Sequence, residues 1–175
     1  MDLKEYIRSI PDYPKKGILF RDITTLIKNE KAFTYCIDQI VEKSKQFNFN
    51  KIAAVESRGF VFASAVSYIL NKPFILLRKK NKLPAETHSV DFELEYGTAT
   101  IEVHKDSINR NDAVLVIDDL IATGGTAEAA AKLIKISEGK VTGFIFVINL
   151  FDLGGCDKLI KQDYKVENLI NFPGH

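Results

Sequence analysis

Charge of one sign is nearly absent in excess: 24 lysines and arginines stand against 23 aspartates and glutamates, a formal net charge of +1. A nucleic-acid binder should show a basic surplus or stripe, so no nucleic-acid partner is expected. Cysteine is equally scarce. Cys36 and Cys156 stand 120 positions apart with no CxxC pair, which argues against a disulfide framework and against a zinc site. Cys36 shares a helical apolar face with Phe33 and Ile40, the setting of a small buried hydrophobe. No apolar run reaches the ~18–20 residues of a membrane span, so no membrane partner is expected. The opening segment Met1-Asp2-Leu3-Lys4-Glu5 carries charges where a signal peptide has its apolar stretch. Together these absences point to the cytoplasm. Repeats, low-complexity stretches and a Pro/Gly/Ser-rich linker are missing too, so residues 1–175 should form one domain. What remains is a globular composition, 46% hydrophobic and 27% charged.

The chain alternates short apolar runs with amphipathic ones. Phe33, Ile37, Ile40, Val41 and Phe47 keep a roughly helical period, and residues 51–56 read as a buried strand. Residues 60–70 are apolar and Ala-rich, suiting a packed helix, and residues 73–77 a strand that starts on Pro73. Val90, Phe92, Leu94 and Tyr96 alternate with polar residues up to Gly97, so residues 88–104 read as a solvated hairpin. The β-branched run at 113–117 predicts a strand covered on both faces. A helix over 126–138 should end at Gly139, followed by a long strand at 141–150 and a short edge at 165–170. The expected class is α/β, with a mainly parallel central sheet flanked by helices.

The most informative stretch is Ile117-Asp118-Asp119-Leu120-Ile121-Ala122-Thr123-Gly124-Gly125-Thr126. A buried strand runs into two carboxylates, then a Thr-Gly-Gly-Thr turn, then a helix. That turn gathers backbone N–H groups, two hydroxyls and a helix N-terminus on one spot, the parts of a phosphate cradle. It fits neither GxxxxGK[ST] nor GxGxxG, so a nucleoside-triphosphate or dinucleotide loop is not supported. Carboxylates beside an anion site would repel the anion unless they face hydroxyls or a cation. A ribose 5-phosphate satisfies both halves, with its diol on Asp118 and Asp119 and its phosphate on the turn.

This stretch resembles the phosphoribosyl-pyrophosphate signature of the type I phosphoribosyltransferases. Three further segments narrow the resemblance to the adenine phosphoribosyltransferases: Gly17-Ile18-Leu19-Phe20-Arg21-Asp22-Ile23, Glu56-Ser57-Arg58-Gly59-Phe60, and Leu77-Arg78-Lys79-Lys80-Asn81-Lys82-Leu83-Pro84. All four lie in family order and spacing. The resemblance implies transfer of a phosphoribosyl group from phosphoribosyl pyrophosphate to adenine, yielding AMP and pyrophosphate, with Mg²⁺ chelated through the substrate rather than in a protein cage. It also implies a homodimer and a flexible hairpin hood over about residues 80–104.

Residue by residue, the resemblance assigns Ala122, Thr123, Gly124, Gly125 and Thr126 to the 5-phosphate, and Asp118 and Asp119 to the ribose hydroxyls. Ser57, Arg58, Arg78, Lys79 and Lys82 are assigned to pyrophosphate, the basic run in part across a dimer interface. Asn81 stands where relatives often carry Gly, and Asn tolerates the left-handed backbone such a turn needs. Leu19 and Leu120 match positions that sandwich the purine, core packing being their other role. Arg21 matches a residue whose backbone, not its guanidinium, reads the adenine edge. Ala122 stands where 6-oxopurine enzymes carry an acid, so the candidate acid/base is Glu95, which matches a glutamate brought near the purine N7. His88, His104 and His175 have no ligand spacing and suit local hydrogen bonding. Two other readings compete: a non-catalytic phosphoribosyl-pyrophosphate sensor, which the charge balance disfavours, and a transferase for another purine, which Ala122 disfavours.

Overall fold

The run at 113–117 lies in the centre of a sheet, as a strand covered on both faces should. The computed structural model describes residues 1–94 and 97–175. In chain order its elements are β1 (Arg8–Ile10), β2 (Phe20–Asp22), α1 (Thr24–Ile27), α2 (Glu30–Ser44), β3 (Lys51–Val55), α3 (Arg58–Leu70) and β4 (Phe74–Lys79). There follow β5 (Thr87–Leu94), β6 (Gly97–His104), β7 (Ala113–Ile121), α4 (Gly125–Ile136), β8 (Lys140–Leu150), α5 (Gly155–Ile160) and β9 (Val166–Phe172). Seven strands form one sheet in the order β5-β6-β4-β3-β7-β8-β9. Its five strands β4, β3, β7, β8 and β9 are mutually parallel, and β6 and β5 extend it antiparallel. Parallel strands joined through helices place those helices on both faces, which explains why β3 and β7 are buried along most of their length.

Two apolar layers hold the sheet. Ile40, Phe62 and Val66 from α2 and α3 pack with Leu115, Ile117 and Ile145 on one face. Ala130, Leu133 and Ile134 from α4 pack with Val114, Phe144 and Leu77 on the other. Cys36 is fully buried in the first layer, and burial pushes its thiol up to about 12, so it serves as a hydrophobe. No helix among the described residues is long and apolar enough to cross a membrane.

Four features differ from the sequence expectation. The turn after α4 places Glu138, not Gly139, in the left-handed region (φ +68°). Gly139 is there for space, since a Cβ on it would lie 2.8 Å from Ile108 Cγ2. The hairpin is more embedded than its alternation suggests: Ile101 and Val103 are buried, and Val90 and Phe92 lean on the α4-side layer. Leu94 is exposed instead, and Tyr96 lies outside the described residues. The strand at 113–117 continues through both aspartates to Ile121. Finally, β1 and β2 pair as a separate two-stranded ribbon that the hydrophobic pattern does not announce.

Candidate active site

Strands β3 and β7 are neighbours, parallel and near the middle of the sheet, so their C-terminal ends open on one spot. In α/β sheets that end is where ligands sit. A cavity of about 270 Å³ lies there. Its floor is Asp118 and Asp119, one wall is Ser57 and Arg58 at the start of α3, and the opposite wall is the turn Ala122–Thr126 leading into α4. Glu93 and Leu94 of the hairpin complete the rim. Of the residues expected in the site, Ser57, Arg58, Asp118, Asp119, Leu120, Ala122, Thr123, Gly124, Gly125 and Thr126 all line this cavity.

Two glycines let the walls close in. Helix α3 approaches Asp118 so tightly that a Cβ on Gly59 would lie 2.6 Å from Asp118 Oδ1. Behind the turn, Gly155 N donates to Ala122 O at 3.0 Å, and a Cβ on Gly155 would lie 2.3 Å from that oxygen. Gly124 precedes α4 in the left-handed region (φ +86°) and leaves the helix without a side-chain cap. Among the described residues no side chain caps the N–H groups of the first turn of α4, which suits them to an anion.

The floor is electrostatically unsettled. Burial, then the neighbouring Asp119 charge, pushes Asp118 well above the ordinary carboxylate range. Burial also raises Asp119, against the pull of the Arg58 guanidinium. Arg58 Nε lies 2.9 Å from Asp119 Oδ2, but without hydrogen-bond alignment, so this buried oxygen has no hydrogen-bond partner among the described residues. Asp118 Oδ1 accepts from the Asp119 amide at 2.9 Å. Two adjacent carboxylates, Asp119 buried and Asp118 half-buried, with one partial counter-charge will welcome hydroxyl donors or a cation.

The basic run stands one step away. Glu56, on the cavity wall, accepts from the Lys79 amide at 2.6 Å and lies 3.3 Å from Arg78 Nε. Arg78 also donates to Lys82 O at 3.3 Å. Arg78, Lys79 and Lys82 thus border the site through Glu56 without lining the cavity, and Asn81 takes the expected left-handed backbone (φ +65°). Leu19 and Arg21 are also outside the cavity lining. Leu19 is half-buried in the segment leading into β2, and Arg21 is buried with its guanidinium turned away into the protein. Glu95 lies outside the described residues. His104 makes a local bond, its Nε2 accepting from the Ala85 amide at 3.3 Å.

The phosphoribosyl transferase domain family matches residues 23–173. The chain belongs to that family. It is 76% identical over 175 residues to the adenine phosphoribosyltransferase of Pelagibacter ubique, covering 100% of both chains. Among solved structures, the adenine phosphoribosyltransferase of Thermoanaerobacter pseudethanolicus superposes with a TM-score of 0.93 at 46% identity, over 97% of this chain and 98% of that one. That of Giardia lamblia, complexed with 9-deazaadenine, gives 0.92 at 31% identity, over 98% and 96%. The mainly parallel sheet with flanking helices is thus the type I phosphoribosyltransferase fold.

Three features of this phosphoribosyltransferase site escaped the sequence reading. Glu56 stands out in the sequence only as part of a motif, although its place just after β3, in a chain with a run of cations at 78–82, is a usable signal. Glu93 reaches the rim because the hairpin leans on α4, which no local pattern encodes. Gly155 sits beneath the phosphate-type turn from 31 residues beyond Gly124, and only the pair Gly154-Gly155 after β8 hints at it.

Proposed function

We propose that the chain transfers the 5-phosphoribosyl group of phosphoribosyl pyrophosphate to N9 of adenine, releasing pyrophosphate and forming AMP, a purine-salvage pentosyl transfer. The carrying observation is the cavity itself, where an adjacent carboxylate pair at the end of β7 faces an uncapped helix N-terminus. The 5-phosphate is assigned to Ala122–Thr126, the ribose hydroxyls to Asp118 and Asp119, and the pyrophosphate to Ser57, Arg58 and the neighbouring Arg78, Lys79 and Lys82. Ribose hydroxyls donating to the aspartates relieve the crowding of negative charge on the floor.

The bond from C1′ to the pyrophosphate oxygen breaks as N9 approaches from the opposite face. The ribose then gains oxocarbenium character, and ionised Asp118 and Asp119 lie where its positive charge grows. Arg58 takes up charge on the departing pyrophosphate. Most of the acceleration is positioning and preorganised electrostatics. Mg²⁺ suits this reading through the substrate: pyrophosphate and ribose oxygens together with waters would make up its shell, with no protein cage. When bound, it supplies positive charge to the pyrophosphate. Glu95 is proposed as the group exchanging a proton at N7, carried by the hairpin acting as a hood.

Adenine is assigned to Leu19, Leu120 and the Arg21 backbone, whose carbonyl would accept from the 6-amino group while an N–H donates to N1. The guanidinium of Arg21 is committed to protein partners, which leaves the backbone as that residue's means of reading a base. Phosphoribosyl pyrophosphate is too highly charged to cross a bilayer, so a cytoplasmic enzyme accompanies this reading. A homodimer and a single domain over residues 1–175 are proposed on family likeness. Pyrophosphate release with adenine, hypoxanthine, guanine and xanthine tests the assignment. Adenine should be preferred over hypoxanthine by about a thousandfold in kcat/KM, because a 6-oxopurine leaves buried hydrogen-bonding groups unpaired. Comparable rates on the two bases would refute it.

A further inference from the structure

The ribbon β1–β2 shares no strand pairing with the main sheet. If its backbone reads the base, something must fix it against a site built on β3, β7 and α4. The Arg21 side chain does this in an unusual way. It is 94% buried by its 6% residual exposure, and no carboxylate is paired with it among the described residues. Its guanidinium lies over the Phe172 ring at 4.4 Å and donates to Pro173 O at 2.9 Å and to Ser9 Oγ. The next residue, Gly174, donates its N–H to Asp152 Oδ1 at 2.6 Å and packs so closely on Leu153 that a Cβ would lie 2.7 Å from Leu153 Cγ. Residues 152 and 153 lead directly into Gly155, which carries Ala122 and the turn before α4. A continuous path of contacts therefore runs from the ribbon, through residues 172–174 and the loop at 151–155, to the phosphate-type turn.

We propose that the Arg21 guanidinium and Asp152 are positioning residues that clamp residues 172–174 between ribbon and loop, holding the base-reading backbone in register with the ribose-phosphate end of the site. This rests on the function proposed above. The phosphate end rests on Gly155 and α4, which pack against the main sheet, whereas the ribbon has no strand pairing with that sheet, so loosening the clamp is felt at the base. Placement errors of well under 1 Å matter for backbone readout.

Asp152 is exposed, so Asp152→Ala folds, and Asp152→Asn retains the acceptor for the Gly174 amide. The expected result for Asp152→Ala is a KM for adenine raised about three- to tenfold, with KM for phosphoribosyl pyrophosphate and kcat within about twofold, and restoration by Asp152→Asn. Arg21→Lys, which cannot stack and bridge two acceptors at once, should shift the same parameter further. Amide hydrogen exchange of residues 8–10 and 20–22 without substrate gives a second readout: Asp152→Ala should speed it and Asp152→Asn should not. Unchanged exchange overturns the clamp whatever the enzyme does. Faster exchange with unchanged KM for adenine overturns its role in the reaction. Wild-type protein that fails to use adenine refutes the underlying function instead, a result the exchange measurement does not depend on.

Discussion

Replacing Asp118 by Asn should make the protein more stable and nearly inactive. Asn preserves size and keeps an oxygen to accept the Asp119 amide. It removes a charge that burial and Asp119 both disfavour. Relief of about 1–3 kcal/mol is expected, the scale for a buried polar group in a poor setting. For a chain of this size that corresponds to a Tm higher by about 3–10 °C. The gain has a definite pH signature. The native carboxyl titrates above its ordinary value near 3.8, so below that value both native and unfolded states hold the proton and acid and amide are equivalent. As pH rises, the unfolded chain loses its proton first, so wild-type stability falls until pH passes the native value. The Asn advantage must therefore be small near pH 4, grow above it and level off. Thermal unfolding of the substrate-free proteins from pH 4 to pH 8, without Mg²⁺, measures it. In the same variant, turnover should drop below about one tenth, a transition-state loss above 1.4 kcal/mol. A Tm at pH 7 equal to or below wild type, or a gap that does not change with pH, would show that Asp118 is not held under electrostatic stress.

Arg58→Lys keeps the charge but loses the planar fork that reaches Asp119 and lies over Phe20, so pyrophosphate affinity measured by titration should fall by about tenfold; equal affinity removes Arg58 from the site. Gly155→Ala must displace the backbone of Ala122, so KM for phosphoribosyl pyrophosphate should rise at least about tenfold, with about 1–3 kcal/mol lost in denaturant unfolding. Wild-type kinetics for that variant would mean the turn does not depend on its support. Amide exchange over residues 85–94 and 97–100 should slow when phosphoribosyl pyrophosphate and Mg²⁺ bind, while 101–104 and 113–118 stay protected throughout, as expected of a hood hinged on its buried half. Equal protection with and without ligand would make the hairpin a fixed wall.

The legible parts of this protein are those whose physics is local. A β-branched run such as 113–117 has one stable fate, burial on both faces, and the Thr-Gly-Gly-Thr turn declares its own geometry because Gly124 alone can take its backbone without strain. The cavity floor was legible for the same reason: two adjacent aspartates at a strand end cannot both be hidden without a purpose. The ribbon was not. Its strands are three residues each, separated by a segment carrying Pro11, Pro14 and Gly17, and too short to show a period. Glycines 59 and 155 were visible as letters but not as contacts, since their value lies in an atom that is absent, opposite Asp118 in one case and Ala122 in the other. Arg58 and Asp119 meet across 61 positions because β3 and β7 are neighbours in the sheet, and nothing at either position encodes the other. Arg21 carries this furthest. Its motif drew attention to its backbone, which we propose reads the base, while its side chain holds a carbonyl 152 residues downstream. A residue that serves a site with its main chain and the fold with its side chain will be read from sequence for only one of the two. Substitution at such a position therefore tests the fold-side role, because any replacement except proline leaves the main-chain N–H and C=O in place.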